Sequence, residues 1–206
     1  MKQALRFYRH PISGHCHRVE LFLSILALPV DVVSVDLQSG EHKKPPFLGR
    51  NPFGQVPVLE DGDLTLCEST AILVYLAKKY DPSGRWLPED PATNARVMQW
   101  LALATGPLSQ GPAAARVHHL LGRPADLPRA EALSAQLFAV ADAQLARTSF
   151  LVGNEPTLAD LAHYAYTARA PEGRISLEPY PALRRWLERV EALPGFVPMQ
   201  QFAPLR

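Results

Sequence analysis

The segment HPISGHCHRVELFL, His10 to Leu23, sets a serine, a glycine, a cysteine and three histidines where an apolar periodicity begins. A helix that starts there leaves backbone N–H groups without partners and presents the positive end of its dipole. Such a position stabilises a thiolate, and a hydroxyl beside it can donate to that thiolate. Ser13 precedes Cys16 by three residues, in the form S-x-x-C. A serine cannot exchange disulfides, but it can hydrogen-bond a thiolate carried by a ligand. The plainer role for Ser13 is an N-cap. Cys16 shares a face with Val19 and Leu23, which makes it a small buried hydrophobe rather than a resolving thiol. His15 and His17 are expected at the surface or in a cleft, and no spacing here suggests a metal site.

The elements around this turn must hold it in place. ALRFY alternates as a short strand, and Val19, Phe22, Leu23 and Leu26 follow helical spacing. PVDVVSVDL, rich in β-branched residues, reads as a second strand. Strand, helix, strand favours a parallel pair. QSGEHKKPPFLGRNPFGQ is expected as a polar loop, and VPVLEDGDLTL as a hairpin turning at Asp61-Gly62. ESTAILVYLAKKY is a helix apolar on most of its circumference, so another domain or subunit must cover what the sheet does not. DPSGRWLPEDP has the composition of a linker. Beyond it every periodic segment is helical, ending in PALRRWLERVEAL with Leu183, Trp186, Leu187, Val190 and Leu193 in one stripe. The expected fold is an α/β thioredoxin-like N-terminal domain (βαβ-ββα) over residues 1–80, a linker over 81–91, and an all-α helical-bundle domain over 92–206.

With 21 basic and 20 acidic residues the net charge is +1, which leaves no footprint for nucleic acid or an anionic membrane. Two cysteines make no disulfide framework and point to a cytoplasmic protein. The apolar stretch LFLSILALPV is too short to span a bilayer.

A second stretch completes the pattern. SGHCHRV, together with GEHKKPPFLGRNPFGQVPVLEDGDLTLCESTAILVYLAKKY, resembles the glutathione transferases, in particular the phi-like and theta-like classes that use a serine. FLVGNEPTLADL adds the family's N-capping box, in which Thr157 and Asp160 satisfy orphan N–H groups and Leu161 staples onto Pro156. The resemblance covers nearly the whole chain. It implies glutathione as co-substrate, with Ser13 lowering the thiol pKa of the bound tripeptide. Pro57 would be cis and turn the Val56 backbone toward the cysteinyl part, with Gln55 beside it. Glu68 and Ser69 would hold the γ-glutamyl end, and His42 and Lys43 the glycine carboxylate.

The same resemblance places a small electrophile between Pro11, Ile12 and His15 on one side and Trp100, Ala104, Gly106, Pro107, Arg116 and His119 on the other. It requires no metal or redox cofactor. It also implies a homodimer in which Phe53 plugs into the partner. Cys67 departs from the pattern and is taken as a buried structural cysteine. Two other functions compete with conjugation. One is a glutathione-dependent peroxidase or reductase using Cys16 or Cys67. The other is a non-catalytic binding protein.

Overall fold

The computed structural model describes residues 5–203. Strand β1 (Leu5–Arg9) leads through helix α1 (Gly14–Ile25) to β2 (Val30–Ser34). A 3-10 turn (Glu41–Lys43) and the short α2 (Pro45–Leu48) precede β3 (Val58–Asp61), β4 (Leu64–Cys67) and α3 (Ser69–Tyr80). The helical half holds α4 (Pro91–Thr105), a π-helical turn (Ser109–Ala113), α5 (Ala114–Leu121), α6 (Leu127–Leu145), α7 (Leu158–Ala168), a 3-10 turn (Ala170–Gly173) and α8 (Pro181–Glu191). Ala4, expected in the first strand, lies outside the described residues.

The sheet order is β2-β1-β3-β4. β1 and β2 run parallel because the α1 crossover returns the chain to the same end of the sheet. β3 lies antiparallel to both β1 and β4. Alternation along β1 separates two cores. Phe7 faces α1 and α3, whereas Tyr8 joins Phe47 and Val58 on the opposite face. The segment expected as a plain polar loop is partly helical, and α2 supplies Phe47 as the plug of that second core.

The first core runs without interruption from the sheet into the helical half. Trp86, inside the segment with linker composition, is 2% exposed and packs edge-on against Phe22 at 5.4 Å. Its carbonyl accepts the Leu158 N–H at 2.9 Å. Ile72, Leu73 and Leu76 of α3 are fully buried within the chain, and Val74 and Tyr75 pack onto the same core. The chain therefore covers most of that apolar helix itself. Phe53, by contrast, is 72% exposed. No described helix is long and apolar enough to cross a membrane.

Candidate active site at the start of helix α1

The turn before α1 is closed by the Ser13 N–H donating to the His10 carbonyl at 3.1 Å. Ser13 then takes extended backbone angles as the N-cap, and its Oγ accepts the Cys16 N–H at 3.2 Å. The hydroxyl is thus engaged as an acceptor, and among the described residues its own O–H has no acceptor. The N-cap role expected of Ser13 is therefore present, and it leaves the hydroxyl proton unused among the described residues.

The cleft is a cavity of about 750 Å³, a size that suits a ligand larger than a solvent cluster. Every residue the resemblance assigned to glutathione lines it: Ser13, His42, Lys43, Gln55, Val56, Pro57, Glu68 and Ser69. The Val56–Pro57 peptide is cis. Its loop is stapled by Asn51, 1% exposed, whose Nδ2 donates to the Gln55 carbonyl at 2.7 Å and whose Oδ1 accepts the Phe53 N–H at 3.0 Å. His42 Nδ1 is buried with no partner among the described residues. Lys43 Nζ donates to the Phe53 carbonyl at 3.0 Å.

The start of α3 differs from an ordinary cap. Glu68 sits at φ +66, a left-handed conformation rare for a non-glycine residue, and no side chain caps the helix. Its open first-turn N–H groups suit an anion. Ser69 is buried, and its Oγ accepts from Arg18 Nη1 at 3.2 Å, with His15 Nδ1 at 3.4 Å. Arg18 is fully buried, and burial lowers its pKa to about 10, which leaves it charged at neutral pH. Burial, then the Arg18 charge, lowers the His15 pKa, so that ring is neutral.

On the electrophile side Ile12, His15 and Arg116 line the cavity as expected. Pro11, Trp100, Ala104, Gly106, Pro107 and His119 are not among its lining residues. Trp100 and Ala104 point into the core, where the Trp100 carbonyl accepts from His163 Nε2 at 2.8 Å. The chain breaks at Gly106 and widens through the π-helical turn, and His119 packs edge-on against His118 at 5.0 Å instead. The row that does face the cavity is Thr105, Ser109, Ala113, Val117 and Leu120. Its helical spacing of three to four residues, carried through the break, was a usable signal. Tyr166 of α7 also lines the cavity, and no local pattern marked it. Its ring lies so close to α1 that a Cβ on Gly14 would meet it at 2.8 Å.

Two other expectations need correction. His17 is not at the surface or in the cleft. It is 4% exposed, and its Nε2 donates to the Val197 carbonyl at 2.8 Å, because the chain after α8 folds back over α1. Cys67 is only half-buried, with its thiol donating to the Arg50 carbonyl at 3.4 Å. Cys16 is buried as expected, and burial pushes its thiol up to about 11. Among the described residues no cluster of His, Cys, Asp or Glu could hold a metal ion.

Comparison with known proteins supplies the context for this geometry. The family model for the glutathione S-transferase N-terminal domain matches residues 3–78, and that for the C-terminal domain matches residues 112–194. The chain is 37% identical over 203 residues to glutathione S-transferase 3 of Zea mays, covering 93% of this chain and 91% of that one. It is 34% identical over 201 residues to glutathione S-transferase theta-1 of Mus musculus, covering 93% and 84%. A solved glutathione S-transferase from Pseudomonas fluorescens superposes with a TM-score of 0.89 at 34% identity, over 97% of this chain and all of that one. With both halves matched and relatives aligned along nearly its full length, the chain belongs to the glutathione S-transferase family.

Proposed function

We propose that this transferase binds glutathione in the cavity at the start of α1 and conjugates it to apolar electrophiles, with Ser13 as the catalytic residue. The observation that carries this reading is the Ser13 hydroxyl, held by Cys16 N–H and free to donate into the cavity. Donation to the thiol sulfur, together with the helix N-terminus, favours thiolate over thiol. The thiolate attacks an electrophilic carbon, a C–S bond forms, and the leaving group departs or the adduct is protonated by solvent. Glu68 and Ser69 take the γ-glutamyl end, the Val56 backbone the cysteinyl part with Gln55 beside it, and His42 and Lys43 the glycine carboxylate. The unpartnered His42 Nδ1 and the uncapped α3 start support these roles.

The helical wall is mixed. Thr105 and Ser109 offer hydroxyls, while Ala113, Val117 and Leu120 offer apolar surface. That composition suits a largely apolar substrate with one polar edge. The reading extends to a cytoplasmic homodimer, for which exposed Phe53 is the support. Since α3 is largely covered within the chain, Phe53 alone motivates the dimer.

A peroxidase or reductase reading finds less support. The Cys16 thiol is buried and kept protonated, and Cys67 is not among the cavity-lining residues. Turnover with a panel of electrophile classes tests the proposal, alongside a peroxide assay of wild type and Cys16→Ser. Conjugation that Ser13→Ala slows at least about tenfold and Cys16→Ser preserves is the expected result. Retention on immobilised glutathione with no turnover of any class would instead favour the binding protein.

A further inference from the structure

One buried charge in the helical half reaches the catalytic turn directly. Arg116 of α5 is 1% exposed and lines the cavity. Its Nη1 donates to the Ile12 carbonyl at 2.7 Å. That carbonyl belongs to the peptide that leads into Ser13, so the bond fixes the plane from which the Ser13 side chain departs. A buried guanidinium is costly unless paired. Arg116 is paired, its Nε donating to Glu172 Oε2 at 2.7 Å. Glu172 is itself held. Its Oε1 accepts the Phe202 N–H at 3.2 Å, and Arg169 Nε lies 3.7 Å from the same oxygen.

The approach is also built into the backbone. A Cβ on Gly173 would meet the Arg116 nitrogen at 2.7 Å, so glycine is what lets the Glu172 turn come so close to α5. Among the described residues of the N-terminal half the turn's bonds are local: Ser13 N–H to the His10 carbonyl, Ile12 N–H to His10 Nδ1 at 3.3 Å, and the Cys16 and His17 N–H groups to Ser13. Arg116 supplies the bond that ties it to the second half.

We propose that Arg116, aimed by Glu172, is a positioning residue that sets the Ser13 hydroxyl against the glutathione thiol. The proposal rests on the reading of Ser13 given above. Arg116 does not touch the sulfur. It acts through the Ile12–Ser13 peptide, and a hydroxyl displaced by a fraction of an ångström loses alignment with the thiolate. The helical half thereby takes part in thiol activation as well as in walling the cavity.

The test compares Ser13→Ala, Arg116→Lys, Arg116→Gln, Glu172→Gln and the double variant Arg116→Met/Glu172→Gln. The double variant removes both charges of the pair together, so neither is left buried alone, and Arg169 keeps its bond to the Met199 carbonyl. The readouts are the ultraviolet thiolate titration of bound glutathione, glutathione affinity by calorimetry, kcat and KM, and thermal unfolding. Misplacement of a reacting group costs up to roughly a hundredfold. We expect kcat to fall about tenfold in Arg116→Gln and in the double variant, and no further than in Ser13→Ala. The bound thiol pKa rises with it, glutathione affinity is held, and Arg116→Lys lies between. Folded Arg116 variants with an unchanged thiol pKa and kcat, and only a lower unfolding temperature, overturn the proposal and leave Arg116–Glu172 as interdomain packing. If Arg116→Gln does not fold, an unchanged thiol pKa and kcat in Arg116→Lys or the double variant overturns it equally. A Ser13→Ala that leaves the thiol pKa in place refutes the Ser13 reading instead, a result distinct from the first.

Discussion

Helices α1 and α7 both begin with a hydroxyl residue as N-cap, yet the two starts serve opposite ends. At α7 every polar group is used inside the chain. Thr157 Oγ1 accepts the Ala159 N–H at 3.3 Å, and Asp160 Oδ2 accepts the Thr157 N–H at 2.9 Å. Asp160 Oδ1 accepts from Leu151 N–H at 2.9 Å and from Trp186 Nε1 at 2.8 Å, which ties the α6–α7 loop and α8 to the same carboxylate. At α1 the cap is left incomplete. Ser13 satisfies one N–H and lines the cavity, and among the described residues its own O–H has no acceptor. A saturated cap is a folding device, whereas a cap with a spare donor facing a cavity is a place for a ligand.

The difference is sharpest under substitution. Asp160→Ala strands three donors in the core, the Thr157 and Leu151 N–H groups and Trp186 Nε1, and should cost about 3–5 kcal/mol of stability, the range for breaking a buried charged network. Denaturant unfolding would show it, and kcat per folded molecule should stay near wild type. Ser13→Ala should do the reverse. Loss of one hydrogen bond to a charged group removes about 1.5–3 kcal/mol of transition-state stabilisation, roughly tenfold to a hundredfold in kcat. The unfolding midpoint should move by only the ~1 kcal/mol of an N-cap. If Asp160→Ala damaged kcat as much as stability, or Ser13→Ala stability more than kcat, the contrast between the two starts would collapse.

The start of α3 should behave as a third case, a cap completed by ligand. Ser69→Ala should weaken glutathione by about 1–3 kcal/mol, because a buried hydroxyl held by Arg18 is lost beside the γ-glutamyl group. Glu68 is exposed, and its loss should matter less, about 1 kcal/mol or below. Calorimetric titration ranks the two. Equal affinities in wild type and Ser69→Ala would make that helix start merely structural.

A modest effect is expected of pH. His163 is buried with Nε2 donating to the Trp100 carbonyl, and burial lowers its pKa to about 4. An unfolded histidine titrates near 6.5. Between those values the unfolded chain binds more protons than the folded one, so stability falls as pH drops from about 6.5 toward 4. Burial raises the Asp160 carboxyl, whose contribution runs the other way. The difference between wild type and His163→Gln isolates the histidine. Going from pH 7 to 5 should cost wild type about 1–2 kcal/mol more than the variant. Identical losses in urea unfolding would contradict the assignment.

The fold was legible because its signals are local and repetitive. β-branched runs, the Asp61-Gly62 hairpin and the TLAD box depend on residues close in sequence. The residues assigned to glutathione converge on one cavity because they sit on caps and turns with little freedom of direction. The helical wall of the cavity differs from the expected row because it depends on helix phase across a break. Trp100 and Ala104 have helical spacing on α4, but the turn at Gly106 and the π-helical widening at Ser109–Ala113 leave the cavity to the neighbouring row. His17 was misplaced because its partner, Val197, lies far along the chain. Arg116 was legible as a cavity residue, but nothing near it in sequence announced Glu172 or the Ile12 carbonyl.

The central claim is that Ser13 lowers the pKa of a thiol that belongs to the ligand. Titration of the thiolate absorbance of bound glutathione, in wild type and in Ser13→Ala at saturating ligand, tests it directly. The bound thiol in wild type should titrate a unit or more below the ~8.5 of a free thiol, and in Ser13→Ala it should return close to that value. The same depressed pKa in both proteins would contradict the claim and move the activating group elsewhere in the cavity.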